Sequence, residues 1–323
     1  MKNLFNRFKR LGVGLVQHVN GMSVVPLIEK EKEYENIAPL EDTVFEGTAD
    51  YGSMKYRNDS EDIAIVPSNS SIISKQSAQD HAMSTAGLIA ANNKVTFHNA
   101  CCIESSQGGF LRESNSDHLF GVLPVFLRKA LDNDTRFQEY KYGKIWNDIG
   151  AFNDKVIDNF REHLSYFFEE FEEELNDFLA EFETVPNQIG ALVYFGSELV
   201  GIEIAPNRTY WNSVWNWLIR GCYGAEYLRN VKISKASQAL KLPNLSNCST
   251  LNDISIKLED YFDTVRQDFL APFQSQLQGS VKQYQQVDNF NLGYTNFRLD
   301  DYSFFAGDVV TKQDEVIYLS VVR

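Results

Sequence analysis

The apolar and polar residues of the chain change rhythm twice. Near the start, two alternating runs, GLVQHV and MSVVPLIE, flank Asn20-Gly21. That dipeptide accepts the left-handed dihedrals of a two-residue turn, so residues 12–29 read as a hairpin. Pro26 cannot donate to a ladder, which marks its run as an edge strand or a bulged one. From Thr43 to Glu104 short strand-like runs follow: TVFEG, SMKYR, DIAIVP, SSIISKQ, TAGLIA and KVTFHNACCIE. Asn92-Asn93 between the last two predicts a second tight hairpin.

After Gln107-Gly108-Gly109 the period becomes helical. VLPVFLRKALDND and KIWNDIGAF read as helices. One long helix is predicted from about Asn153 to Thr184. Ile157, Phe160, Leu164, Phe167, Phe171, Leu175, Phe178 and Phe182 recur there at intervals of three and four, which builds one buried stripe. Its other faces are acidic and read as solvated. Pro186 ends the run, and QIGALVYFGSELVGIEIAP follows as a hairpin about Gly196-Ser197. Asn207 is placed to cap the helix RTYWNSVWNWLIRGCYGAEYL. A further amphipathic helix spans about Asp253 to Phe269, with Pro272 as its breaker. The chain then returns to strands, SVKQYQQVD, FNLGYTNFRL, SFFAGDVVTK and EVIYLSVVR, with Gln313-Asp314 turning the last pair.

The pattern predicts an α+β fold. Residues 1–115 form a β-rich, sandwich-like region. Residues 116–323 form an α+β region with long amphipathic helices and C-terminal antiparallel strands. The two are expected to pack as one continuous body.

Composition narrows the function classes. With 43% apolar and 23% charged residues, the 323-residue chain has the makeup of a globular protein. A formal net charge of -14 disfavours extensive binding to nucleic-acid phosphate. No run approaches the roughly 18 apolar residues of a membrane span, and the basic-then-apolar start lacks a clean cleavage site. Four cysteines without a CxxC pair read as reduced thiols, which places the protein in the cytoplasm. The aromatic helices also allow a homo-oligomer.

Common catalytic signatures are absent: the sequence has no GxxxxGK[ST], no GxGxxG after a strand, no GxSxG and no HExxH. Candidate chemistry concentrates between Lys75 and Gly109. Gln76, Gln79 and Gln107 supply amide donors and acceptors, and Lys75 a cation. With Asp80, His81 and Glu104 they form a candidate ligand-binding set, suited to an anionic or polyhydroxy ligand such as a nucleotide or sugar. On one uninterrupted strand, His98, Cys102 and Glu104 would share a face and Cys101 would point away. Three readings stay open. Cys101 or Cys102 could be a nucleophile activated by His81 or His98. His81, His98, Cys102 and Glu104, with Asp80, could ligate a metal, although their spacing fits no standard zinc pattern. Or the stretch could be a hydrogen-bonded structural core around buried thiols.

These residues also carry a resemblance. KQSAQDHAM followed by a strand ending CCIESSQGG resembles the central motif pair of the ARG and rhodanese-phosphatase-superfamily-associated protein domain family of bacteria and phages. Gln76, Gln79 and Asp80 match its first part; Cys102, Ile103 and Glu104 match its second. Val24-Val25-Pro26-Leu27 is similar to the opening strand, and Ile145-Trp146-Asn147-Asp148-Ile149 to a helix of the family. ALVYFGSELVGIEI with its tryptophan-rich helix is similar to a late hairpin and helix. The resemblance spans residues 12–230. His81 stands where the family pattern has an arginine, and Gln107-Gly108-Gly109 where it has an Arg-Trp element. The family's name reflects association with ADP-ribosylglycohydrolases and phosphatases. The resemblance therefore implies a ligand-binding or accessory protein of prokaryotic or phage origin, linked to ADP-ribose, nucleotide-derived metabolites or conflict systems. It assigns no reaction and no cofactor. A virion or assembly protein, and a metal- or thiol-dependent hydrolase or transferase, are the alternatives.

Overall fold

A computed structural model describes residues 7–8, 10–30, 33–48, 50–74, 79–105, 118–134, 142–158, 162–233, 243–276, 284–287, 292–299, 305–313 and 315–323. Its backbone is an antiparallel sheet that takes strands from both ends of the chain. In spatial order these are Gly12–Val13, Met22–Ile28, Gln188–Phe195, Glu198–Ile204, Glu315–Val322, Phe305–Lys312, Leu292–Leu299 and Tyr284–Val287, with Gln17–Val19 also paired to Met22–Ile28. Three smaller sheets lie between the first and second visits to it. Lys94–Phe97, Met54–Asn58 and Thr43–Gly47 make one; Ala100–Cys102, His81–Met83, Ser70–Ser74 and His118–Val122 make another; Ala64–Val66 and Gly87–Ile89 make the third. The fold is α+β with antiparallel sheets, as the pattern predicts.

Seven α-helices are used below: α1 (Val125–Asp134), α2 (Tyr142–Asn153), α3 (Leu164–Glu170), α4 (Glu172–Ala180), α5 (Arg208–Asn216), α6 (Ala225–Lys232) and α7 (Leu251–Gln276). A π-helical segment, Trp217–Gly224, joins α5 to α6. Period-two strands give the main sheet two apolar faces. Val24, Ala191, Val193 and Val310 face α5 and the π segment, whose Trp211, Trp215, Leu218 and Ile219 cover them. Val25, Leu27, Leu192, Ile202 and Leu319 face the other way, toward Phe8, Leu11, and Leu258 and Tyr261 of α7. A third cluster joins α1, α2 and α3 to the Ala100–Cys102 sheet through Cys101, Ile103, Leu127, Phe152 and Phe167.

Local signals explain many of the elements. Asn20 and Gly196 adopt φ of 54° and 59° at the two hairpin turns. Pro26 sits in an interior strand, and the facing edge is interrupted between Gly12–Val13 and Gln17–Val19, opposite Pro26 and Val25. The missing N–H falls at that irregularity, as a bulge allows. Asn207 caps α5: its Oδ1 accepts from the Tyr210 N–H at 2.8 Å while its Nδ2 donates to the carbonyls of Tyr34 and Ile37.

Three expectations are corrected. Asn92 does turn the chain, at φ 49°, yet the flanking strands do not pair; Gly87–Ile89 joins Ala64–Val66 and Lys94–Phe97 joins Met54–Asn58. The single long helix is a turn followed by two helices. Val156 and Ile157 N–H both fold back on the Asn153 carbonyl, and Phe171 leaves helical dihedrals at ψ 21°. The stripe survives because Phe171 still donates to the Phe167 carbonyl, and Leu175 to that of Phe171. Finally, α7 continues past Pro272 to Gln276, since one proline removes a single helical hydrogen bond without forbidding continuation.

One buried polar network ties the layers together. The Arg128 side chain of α1 is fully buried. It donates from Nη1 to Glu203 Oε1 at 2.9 Å, from Nη2 to Ser320 Oγ at 2.7 Å and from Nε to Asn69 Oδ1 at 3.2 Å. Glu203 and Ser320 are paired in register on neighbouring strands, and Tyr223 Oη of the π segment donates to the same Glu203 oxygen at 2.7 Å. Arg128→Ala strands Glu203 in the core and is expected to cost about 3–5 kcal/mol, measured by urea unfolding. Asn207→Ala removes a cap and two carbonyl contacts, for a loss of about 1–2 kcal/mol in the same assay.

Candidate functional site

The predicted polar cluster is assembled from two adjacent strands and the loops that leave them. His81–Met83 pairs with Ala100–Cys102, so His81 faces Cys102 and Ala82 faces Cys101 across the ladder. The far edge of Ala100–Cys102 is bonded to a loop: Cys102 N–H donates to the Tyr51 carbonyl at 2.8 Å and Ala100 N–H to that of Gly52 at 3.2 Å. Beyond the strand, Ile103 N–H donates to the Asp80 carbonyl at 2.8 Å, which holds the two exits side by side. Glu104 then turns back. Its Oε2 accepts from the Asp80 N–H at 3.2 Å, and its Oε1 lies 3.1 Å from His163 Nδ1.

Gln79, Asp80 and His81 are all buried, whereas the side chains of Glu104 and His163 keep 14% and 13% of their exposure. The contact with water therefore runs through that acid–imidazole pair. Gln79 Oε1 is buried without a hydrogen-bond partner among the described residues. Lys75, Gln76 and Gln107 lie outside the described residues.

His81 is held between two carbonyls, with Nδ1 3.0 Å from Gln79 O and Nε2 3.1 Å from Asp50 O. A neutral ring satisfies one of these and a protonated ring both. Burial is the larger effect and lowers the pKa, against the pull of those carbonyls and of the Asp50 and Glu104 charges. The Asp50 carboxyl is in turn held below the usual carboxylate range, chiefly by the Gly52 N–H and also by nearby His98 and His81.

Cys102 is fully buried and its Sγ donates to the Glu104 carbonyl at 3.2 Å. Burial pushes the thiol up to about 11, and the Glu104 and Asp80 charges add to the rise. At neutral pH it is a thiol, and the ring of the facing His81 lies between two carbonyls, with one N–H to donate when neutral. Cys101 points into the apolar cluster with Phe152 and Phe167.

The shared face of His98, Cys102 and Glu104 does not form. The strand breaks at His98-Asn99, its two halves join different sheets, and His98 is exposed while Cys102 is buried. Among the described residues, no group of three or more His, Cys, Asp and Glu side chains is placed to hold a metal ion.

Two partners escaped the sequence reading. His163 arrives from the turn before α3, and no spacing in the sequence links it to Glu104. Trp146 of α2 donates from Nε1 to the Cys102 carbonyl at 3.2 Å; the sequence placed it in a helix of the family resemblance but gave it no partner. That bond joins two of the segments that carry the family resemblance, IWNDI and CCIE. A second such meeting occurs in the main sheet, where Val24, Val25 and Pro26 lie opposite Val193, Leu192 and Ala191.

The sequence model of the ARG and Rhodanese-Phosphatase-superfamily-associated Protein domain matches residues 10–322. The chain belongs to this family. The match extends beyond the 12–230 carried by the resemblance, and so includes α7 and the C-terminal strands of the main sheet. Comparison with curated proteins gave no match, and neither did comparison with solved structures. No helix among the described residues is long and apolar enough to cross a membrane.

Two measurements probe the cluster. With a thiol reagent near neutral pH, the partly exposed Cys248 should react in the folded protein while Cys102 stays unmodified until unfolding; mass spectrometry of the peptides reads this directly. His81 has a folded-state pKa below its ordinary value of 6.5, so the unfolded chain binds more protons. Its contribution is full above about pH 6.5 and lost as pH falls through the folded value. Urea unfolding between pH 7.5 and 5 should show that loss, and His81→Gln should flatten it.

Proposed function

We propose that this protein is a cytoplasmic ligand-binding or accessory protein of prokaryotic or phage origin, and that its ligand is nucleotide-derived, with ADP-ribose as the first candidate. The reading is carried by one observation: Glu104 joins the buried Gln79-Asp80-His81 turn to His163 and remains at the surface. A partly exposed carboxylate fixed by a backbone N–H accepts from ribose hydroxyls. The adjacent imidazole donates to phosphate when protonated, and Gln79 adds an amide. Lys75, Gln76 and Gln107 belong to the same proposed set by their position in the sequence.

Recognition fits these groups better than thiol catalysis does. The Cys102 thiol is protonated and His81 is held by carbonyls, so neither serves as nucleophile or mobile base. The family's association with ADP-ribosylglycohydrolases and phosphatases supports the choice of ligand class.

Calorimetry with ADP-ribose, NAD and cyclic nucleotides tests the proposal. Binding of at least one is expected, and Glu104→Gln should weaken it about tenfold or more through the loss of a charge-assisted contact. Folded wild-type protein that gives no heat with any of them contradicts it.

A further inference from the structure

Beside α1 and α6 lies a cavity of about 370 Å³, within the range of small-molecule sites. Its walls come from the first turn of α1, the Gln188–Phe195 and Glu198–Ile204 hairpin, and α6. None of these residues belongs to the set around Glu104. The π segment just before α6 matters here, because a stretch of wider helix resets the phase at which Glu226, Tyr227 and Arg229 reach the cavity.

Two cations and two carboxylates line the walls, and they are not all paired. Glu198 pairs with Arg323 at 3.3 Å. Glu226 accepts from the Phe126 N–H at 2.9 Å and from Asn230 Nδ2 at 3.3 Å, with Arg229 Nη1 3.6 Å away. Arg229 is further spent on the carbonyls of Phe152 and Ala151, and stacks over the rings of Phe126 and Phe152. Lys129 is left. It is half-buried, feels both carboxylates only at a distance, and makes no ion pair or hydrogen bond among the described residues. Arg323 lies outside the lining, so the walls themselves hold two cations and two carboxylates, of which Lys129 alone has no ion-pair partner among the described residues. Desolvation of this ammonium, which lowers its pKa, is a cost that a bound anion offsets.

The rest of the lining combines aromatic rings with Val125, Val200 and the polar Asn230. Phe126, Phe195 and Tyr227 line the space. Tyr227 is immobilised by stacking on Phe178, at 5.4 Å and 15°, and by accepting from the Gly21 N–H at 2.9 Å. Preorganised rings of this kind favour a planar ligand at little entropic cost.

We propose that this cavity is a second binding site, for a small aromatic monoanion whose carboxylate or sulfonate pairs with Lys129 and whose ring lies against Phe126, Phe195 and Tyr227. One unpaired cation matches one negative charge. Glu198 and Glu226 in the same walls oppose a polyanion, so the site excludes nucleoside diphosphates and is distinct from the one proposed around Glu104.

The test is calorimetric titration of the full chain with 2-naphthoate and benzenesulfonate, with uncharged 2-naphthamide as the control. Wild-type protein should bind at least one anion and bind the amide about tenfold or more weakly. Lys129→Met should lose about tenfold or more in affinity for the anion, and Lys129→Arg should retain most of it. Both variants keep the buried Arg128 network, and circular dichroism verifies that they fold. An independent readout is acetylation of Lys129 by a limiting anhydride, which saturating naphthoate should suppress in wild-type protein. Equal affinity in wild type and Lys129→Met, or no anion binding by folded wild type at millimolar concentration, overturns the proposal. Neither result bears on ADP-ribose binding, which reports on Glu104.

Discussion

A guanidinium cannot be left bare in a protein core, and Arg128 shows how this fold meets that constraint. Its donors reach Glu203 and Ser320 on two neighbouring strands of the main sheet and Asn69 at the entrance to the smaller sheets. Asn69 in turn donates to the carbonyls of Ser84 and Met83. Two other buried contacts repeat the theme: Asp308 accepts from the Ala86 N–H, and Tyr318 Oη accepts from the Ser68 N–H. Strands formed by the last residues of the chain thus fasten directly to segments formed by the first hundred. Burial of these groups demands partners, and the partners lie on different layers, so the polar atoms dictate how the layers are stacked while the apolar faces supply the driving force.

That arrangement places the candidate site. The Ser70–Ser74 strand follows Asn69 and pairs with His81–Met83, which pairs with Ala100–Cys102. Glu104 and Asp80 are therefore fixed at the end of a short chain of contacts that starts at Arg128. The helices α1 and α2 close over the same sheet, and the Trp146 bond to Cys102 anchors its last residue. The family match over 10–322 fits this geometry, in which the opening strand pairs with the late hairpin and the α2 segment bonds to the CCIE strand, although each pair is far apart in sequence.

Much of the fold was legible because it rests on local chemistry. Asn20, Asn207 and Gly196 announced their turns and cap, and the three-four spacing from Ile157 to Phe182 announced a buried stripe. What escaped legibility is non-local. Asn92 fixes a turn but cannot say which sheets its flanks will join. Phe171 looks like any other stripe residue, and its break from helical dihedrals is set by packing. The site was half legible: Gln79, Asp80, His81 and Glu104 stand close in sequence and meet in space. His98 was misplaced because parity assumes an unbroken strand. His163 and Lys129 carry no signal in a single sequence, since what distinguishes them is a partner, or the lack of one, that only tertiary structure supplies.

The central claim is that the turn at Gln79–His81 and the exit from Cys102 to Glu104 form the ligand-contacting surface. Hydrogen–deuterium exchange with and without saturating ADP-ribose tests it most directly, because it reports on backbone amides without any substitution. Added protection confined to 79–83 and 100–105, together with the His163 turn, is the expected result. Protection spread evenly over the chain, located elsewhere, or absent would contradict it.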